Sequence, residues 1–318
     1  MIWVRRGRAE HSTRKSFTPM TTIEWTNETW NPLRARRKDG GGRLGWACVR
    51  ISQGCVNCYA ATQNQSQRAV GGTGLDYTVT ALAQVETVML PTHLDKPLHW
   101  RKPRRIFVCS MTDLFGEWVT DEQIGEIFDV MARARQHTYQ LLTKRPDRMR
   151  EWITARADVP IGTPKLPGGY GWLSTEPWPL PNVWLGTSVE DQRSADERIP
   201  HLLATPAAVR FVSAEPLLGP VDLIGSDVWS SALHVDDQKT ARIDWVIVGG
   251  ESGPRARPMD LAWARSLVAQ CRAAGVAPFV KQLGSYPLDD GRPWAAGEAH
   301  GRDMDYWPSD LRIREWPR

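Results

Sequence analysis

From Arg104 onward the chain repeats one unit, a short continuously apolar run followed by a stretch with helical periodicity. The runs IFVCS, YQLLT, VWLGTS, VRFVSAE, WVIVGGE and APFVKQ end at Ser110, Thr143, Ser188, Glu215, Glu251 and Gln282. Strands that are apolar on both faces are buried on both sides, which requires a parallel sheet covered by helices. The first intervening helix is marked by Thr120 and Gln123, a capping box, and carries Ile124, Ile127, Phe128 and Met131 on one face. In the second, Pro146 occupies the first turn and Met149, Trp152 and Ile153 share a face. A third covers 191–204, and a fourth, 260–274, is closed by Gly275. The connection after VRFVSAE has no clear period. With a weaker first strand near the cysteines, the pattern predicts an α/β fold, a partial or complete (β/α) TIM-like barrel with parallel strands; a doubly wound open sheet is the alternative.

Residues 1–20 show neither period and read as a disordered basic arm; 21–284 read as the single barrel domain and 285–318 as a polar C-terminal extension. Long loops are expected over 155–181 and 225–242. The glycine-rich basic segment RARRKDGGGRLGW reads as a surface loop, and 59–68 as a helix. No apolar run is long enough to span a membrane and no secretory signal is visible, so the expected compartment is the cytoplasm and no membrane partner is expected.

Cys48, Cys55 and Cys58 stand at CX6CX2C spacing within CVRISQGCVNCY. Three thiolates so close, with no fourth cysteine nearby, can hold three irons of a [4Fe-4S] cluster and leave the fourth iron open to a small ligand. A zinc site is the metal rival, although no histidine lies between Cys48 and Cys58 to complete it. Three unliganded core cysteines are the remaining alternative. Five cysteines in all, an odd number, suit a reducing compartment and metal binding better than disulfides.

In a parallel barrel the active site gathers at the carboxyl ends of the strands. Those ends carry Ser110 and Asp113; Thr143, Lys144 and Arg145; Thr187, Ser188 and Glu190; Ser213 and Glu215; Gly249, Gly250, Glu251 and Ser252; and Lys281 and Gln282. Gly249 and Gly250 remove side chains where backbone must approach a ligand, and Glu251 could accept from an ammonium or a ribose hydroxyl; an ordinary tight turn is the plain alternative. Lys144 and Arg145 suit a carboxylate or phosphate, or an internal pairing with Glu215 or Glu251. Cys109 and Cys271 read as core. His93, His99, His137 and His201 lack the spacing of metal hydrolases.

The segments IEWTNETWNP, CVRISQGCVNCYA, CSMTDLFGEWV, LLTKRPDRM, NVWLGTSVEDQRSADERIPHLLATPAAVRFVSAEPLLGP, DWVIVGGESGPRARPM and FVKQLG resemble a phage- and prophage-associated three-cysteine-motif family of unsettled function. That family in turn resembles radical S-adenosylmethionine enzymes. These usually space their cysteines CX3CX2C with an aromatic residue before the third; here the first gap is six and Tyr59 follows the third. Their GGE motif holds the methionyl amino group. Here GGE comes late, and SAEPLLGP matches it in part, so Glu215 and Glu251 are both candidates.

The resemblance implies an iron–sulfur enzyme that cleaves S-adenosylmethionine to a 5′-deoxyadenosyl radical acting on an unknown substrate, a nucleotide or nucleic-acid base by association, with an electron donor as partner. Cys48, Cys55 and Cys58 would hold the cluster. Tyr59, Ser110, Ser188, Glu215, Gly249, Gly250 and Glu251 would contact the cofactor, and Asp113, Lys144, Arg145 and Lys281 the reacting groups. The rivals are a zinc- or cluster-stabilised nucleic-acid binder using the basic 34–43 loop, and a nuclease or hydrolase with a divalent metal on Asp113, Glu215 and Glu251.

Overall fold

A computed structural model describes residues 21, 23–66, 71–157, 178–225, 232–233, 241–295, 297 and 300–317. The arm over 1–20 and most of the loops expected over 155–181 and 225–242 lie outside the described residues. The chain enters through β1 (Glu28–Trp30) and β2 (Leu33–Arg37). After the cysteine loop come α1 (Tyr59–Ser66) and the single turn α2 (Val79–Leu82), and then β3 (Val85–Met89), which pairs antiparallel with β2. The basic segment before the cysteines is thus partly a strand rather than wholly a loop. Leu33 and Ala35 are buried on one side of it, while Arg36 and the turn from Lys38 to Arg43 are open to solvent.

Two further turns, α3 (Pro91–Leu94) and α4 (Lys96–His99), lead into the repeating part. It runs β4 (Arg105–Val108), α5 (Asp121–Arg133), β5 (Thr138–Thr143), α6 (Pro146–Ala157), β6 (Val183–Val189), α7 (Gln192–Leu203) and β7 (Val209–Ala214). It continues through β8 (Trp245–Gly249), β9 (Met259–Asp260), α8 (Leu261–Ala274) and β10 (Ala277–Gln282). The Thr120–Gln123 capping box forms as expected, with Oγ1 of Thr120 accepting from the Gln123 N–H at 3.3 Å and the Gln123 side chain accepting from the Thr120 N–H at 3.1 Å. A second box, Asp191 with Ser194, starts α7. No helix fills the connection from β7 to β8 among the described residues, which is why no period is visible there.

Seven parallel strands line up in the order β1-β4-β5-β6-β7-β8-β10. The sheet has two cores. Its convex face packs on α5 to α8 through residues such as Ile106, Phe128, Leu185, Ile199 and Leu267. On the concave face Trp25, Phe107, Phe211, Trp245, Ile247 and Phe279 cluster together. Trp25 lies 4.6 Å from Phe107 on β4 and 6.1 Å from Trp245 on β8, ring centre to ring centre. Strands so far apart in the order share one ring cluster only if the sheet curls, and the result is a half-barrel, the partial form of the expected architecture.

The barrel does not close, because β1 and β10, the two ends of the strand order, do not pair with each other. The residues after Gly284, expected as a polar extension, return to cover that gap. β11 (Pro287–Asp289) pairs with β9 and with β12 (Arg292–Pro293), and Trp307 and Leu311 are buried. Val280 donates to the Ile313 carbonyl at 2.8 Å, Arg105 lies 4.4 Å over the Trp316 ring, and Arg302 reaches Glu24 at 3.3 Å. No helix among the described residues is long and apolar enough to cross a membrane.

Candidate active site

A cleft of about 850 Å³ opens at the carboxyl edge of the sheet, above the aromatic cluster whose Trp25 and Phe107 form its floor. Cys48, Cys55 and Cys58 all line it, together with Tyr59 and Ser110. Facing strands contribute Ser188, Glu215, Gly250, Glu251, Lys281 and Gln282. Gly249 does not line the cleft; it lies beneath Glu215, whose carboxyl carbon would stand 3.4 Å from a Cβ placed there. Sequence distance had separated these residues by more than two hundred positions, and parallel strand order brings them together.

The cysteine loop has almost no secondary structure of its own, one 3-10 turn at Gln53–Cys55, so its shape depends on what grips it. One grip is Glu190, at the end of β6. Its Oε1 accepts from Ser52 Oγ at 2.7 Å and pairs with Lys144 Nζ, while Oε2 accepts from Arg198 Nη1 at 3.0 Å. Ser52 Oγ in turn lies 3.7 Å from Cys55 Sγ. Gly54 passes so close that a Cβ there would overlap Glu190 and Lys144, which explains a glycine between Cys48 and Cys55.

A second grip is Glu251. Its Oε2 accepts from Asn57 Nδ2 and from the Arg257 backbone N–H and Nε, each at 2.9 Å, and its Oε1 accepts from Arg257 Nη2 at 2.6 Å. The same Arg257 nitrogen reaches the Gln53 carbonyl at 2.9 Å. Asn57 sits between Cys55 and Cys58, so the glutamate of the GGE sequence is tied to the loop and to Arg257.

Asp113 is engaged in a third network. Its Oδ1 accepts from Thr143 Oγ1 at 2.6 Å and from the Phe115 N–H at 3.0 Å; Oδ2 accepts from the Lys144 N–H at 3.0 Å and from Arg145 Nη1 at 3.3 Å. Arg145 also reaches Glu117 and lies 4.7 Å over the Trp118 ring. Lys144 and Arg145 are therefore paired internally, with Glu190 and Asp113 rather than with Glu215 or Glu251. Carboxylates held this way orient their neighbours and have little capacity left for a divalent metal or a proton.

Glu215 differs. Lys281 Nζ at 2.5 Å and Gln282 Nε2 at 3.0 Å both donate to Oε1, and Oε2 has no hydrogen-bond partner among the described residues. Beside it, the buried Oε1 of Gln282 is also without a partner. A cleft wall that presents two unpartnered acceptors suits a ligand carrying an ammonium or hydroxyl donor.

The electrostatics around the cysteines are basic. Burial pushes the Cys48 and Cys58 thiols up, with Arg145 opposing at Cys48 and Arg50 at Cys58. At Cys55 burial also opposes ionisation, yet Lys144 and backbone hydrogen bonds at Ile51 and Ser52 hold the thiol below its ordinary value. Each thiol thus faces a different cation, and none is in a disulfide. Among the described residues no three His, Cys, Asp or Glu side chains converge as ligands of a single ion do. A cubane, gripped at separate corners by separate thiolates, has no need of such convergence, and three free thiols on one cleft wall beside cations fit its donor set.

Residues 20–308 match a family model described as a protein of unknown function (DUF5131). The chain belongs to that family. No curated protein and no solved structure matches the chain. In this DUF5131 member, sequence reasoning missed Ser52, Asn57, Arg198 and Arg257 as site residues, although all four support the cysteine loop or the carboxylates that hold it. Their only sequence signal is proximity to the motifs, since Ser52 and Asn57 lie inside the cysteine run.

Burial pushes the Glu190 and Glu251 carboxyls up, but Lys144 and Arg198, and Arg257 and Asn57, outweigh it and hold both below the ordinary value. A depressed folded-state pKa contributes stability that is present above the unfolded value, about 4.3 for Glu, and is lost as pH falls through the folded one. The melting temperature should therefore fall on acidification below about pH 4. In Glu190→Gln and Glu251→Gln variants that acid-side slope should be shallower; unchanged slopes would contradict the two-grip arrangement.

Proposed function

We propose that this protein is a radical-SAM-like iron–sulfur enzyme in which Cys48, Cys55 and Cys58 hold three corners of a [4Fe-4S] cluster. The observation that carries the reading is that all three cysteines line one cleft with Glu215, the strand-end carboxylate that keeps an unpartnered oxygen. The likeness of the cysteine run and of SAEPLLGP to the phage-associated three-cysteine-motif proteins, and through them to radical S-adenosylmethionine enzymes, points the same way. When bound, such a cluster and S-adenosylmethionine supply one-electron cleavage of the sulfonium and a 5′-deoxyadenosyl radical that takes hydrogen from the substrate, given an outside electron donor.

This chain's residues do the positioning. Glu190 and Glu251 fix the loop, Asp113 fixes Lys144 and Arg145, and Glu215 with Gln282 would accept from the amino group of the methionyl moiety. Lys281, held on Glu215, would be available to the cofactor's carboxylate or to the substrate. Two of the three carboxylates that a divalent-metal hydrolase would need are engaged elsewhere. Of the five basic residues over 34–43 that a nucleic-acid binder would use, Arg36 and Arg37 are in ion pairs with Glu86 and Asp39.

Anaerobic reconstitution with iron and sulfide, followed by absorption and electron paramagnetic resonance with and without S-adenosylmethionine, tests the proposal. The expected result is a brown protein whose reduced-cluster spectrum changes on adding S-adenosylmethionine; tight zinc binding with no such change would end it. Glu215→Gln should abolish the spectral change or weaken its S-adenosylmethionine dependence by at least about tenfold while leaving iron content intact. Glu251→Gln should do the reverse, lowering iron retention first.

A further inference from the structure

The cations that line the cleft fall into two groups. Lys144, Arg145, Lys281 and Arg302 each meet a carboxylate, on Glu190, Asp113, Glu215 and Glu24 respectively. Arg34 and Lys96 also line it and, among the described residues, form no ion pair. Arg34, on β2, donates from Nε to the Gly45 carbonyl at 3.1 Å and from Nη2 to the Leu44 carbonyl at 2.9 Å, and its guanidinium lies 4.2 Å over the Trp46 ring. Those contacts fix the guanidinium plane and leave Nη1 without a hydrogen bond among the described residues. Burial holds its pKa below the ordinary value, as expected of a cation withdrawn from water with no counter-charge. Lys96, the first residue of α4, is exposed at the cleft rim.

His93 completes the group. It lines the same cleft, and its carbonyl accepts from Trp30 Nε1 at 2.7 Å, which anchors the α3 turn to β1. Burial, and then the charges of Lys96 and Arg34, hold its imidazole below the ordinary value. Arg34 in turn faces Tyr77, which lies beside Cys48 and Cys58, so the basic group borders the cysteine end of the cleft. Tyr59, 52% exposed, presents a ring on the same wall. Like charges gathered in a concave, partly desolvated site repel one another, and an arriving anion removes that cost.

We propose that Arg34, His93 and Lys96 form a subsite for a phosphate group of the substrate, which is a phosphate ester carrying a planar ring, a nucleotide free or within a strand. The fixed guanidinium and the exposed ammonium would grip the phosphate from two sides, and the ring would lie toward Tyr59 and the cysteines. This deepens the enzymatic reading, on which it rests for the position of the reacting end, but phosphate recognition itself does not require the cluster.

Titration of the full chain with deoxycytidine, deoxycytidine monophosphate and a short single-stranded oligodeoxynucleotide, read by calorimetry or tryptophan fluorescence, tests it. The monophosphate should bind at least about tenfold more tightly than the nucleoside, with the advantage shrinking as salt rises. Lys96→Ala, at an exposed position, should cut that advantage about fivefold and leave nucleoside affinity and iron content after reconstitution unchanged. His93→Gln should reduce it in the same direction. Equal affinity for nucleoside and monophosphate, or an advantage untouched in Lys96→Ala, would overturn the subsite. Tighter binding of the oligonucleotide than of the monophosphate identifies a strand as the source of the phosphate, and the reverse a free nucleotide; either supports the subsite. Phosphate discrimination that depends on Lys96 in a protein unable to assemble a cluster would keep the subsite and discard the iron chemistry. Cluster assembly with no discrimination would do the opposite.

Discussion

Cys55→Ser should take the reconstituted protein from about four irons per chain to below about one, with loss of the brown colour and of any response to S-adenosylmethionine. Cys48→Ser and Cys58→Ser should behave alike, because a cube held by three thiolates has no spare corner to sacrifice. The three thiols stand on a loop half-buried at the cleft wall, outside both sheet cores. Far-UV circular dichroism and the melting temperature of the apoprotein should therefore change little. Iron retention at wild-type level in all three variants would remove the cluster from these cysteines and leave them as packing residues.

The second large effect is expected at Glu190. Its side chain is 1% exposed and sits between Lys144 and Arg198, the latter 5% exposed. Glu190→Ala leaves a buried guanidinium without its carboxylate and frees Ser52, and breaking a buried pair from one side costs about 3–5 kcal/mol. Denaturant unfolding should register a loss of that size, and cluster incorporation should fall with it because Ser52 carries the turn that presents Cys55. Glu190→Gln preserves shape and one acceptor, so it should recover part of the stability. A loss below about 1 kcal/mol in Glu190→Ala would place that carboxylate among ordinary solvent-screened pairs.

These two sites show what a sequence can and cannot display. The periods that build β4 to β10 and α5 to α8 are local, so IFVCS, YQLLT and the others fall on strands, and the Thr120 capping box is readable from two residues. The second capping box, Asp191 with Ser194, has an Asp and a Ser where the familiar pattern has Ser or Thr and Glu, and so passes unnoticed. Leu33 to Arg37 look like loop because their strand partner lies some fifty residues away, and alternation over five residues is too short to register. In the site, the three cysteines and the strand-end carboxylates are conspicuous by type and spacing. Their division of labour is not. Glu251 stands in the more familiar motif and yet is tied down by Arg257, while Glu215 keeps an open oxygen; that distinction depends on hydrogen bonds across distant strands, which no local pattern encodes. The tail is misleading for the same reason, since Trp307, Leu311 and Trp316 are scattered among polar residues and find their apolar surroundings only by folding back on β10.

The aromatic cluster on the concave face has one more implication. With Trp25, Phe107, Phe211, Trp245 and Phe279 stoppering the amino-terminal end, the half-barrel is a blind well and not a tunnel. A polymer cannot pass through that floor. If the molecule acts on a long chain, that chain must offer a terminus, a bulge or a single everted unit from above, and product must back out along the path by which it came in.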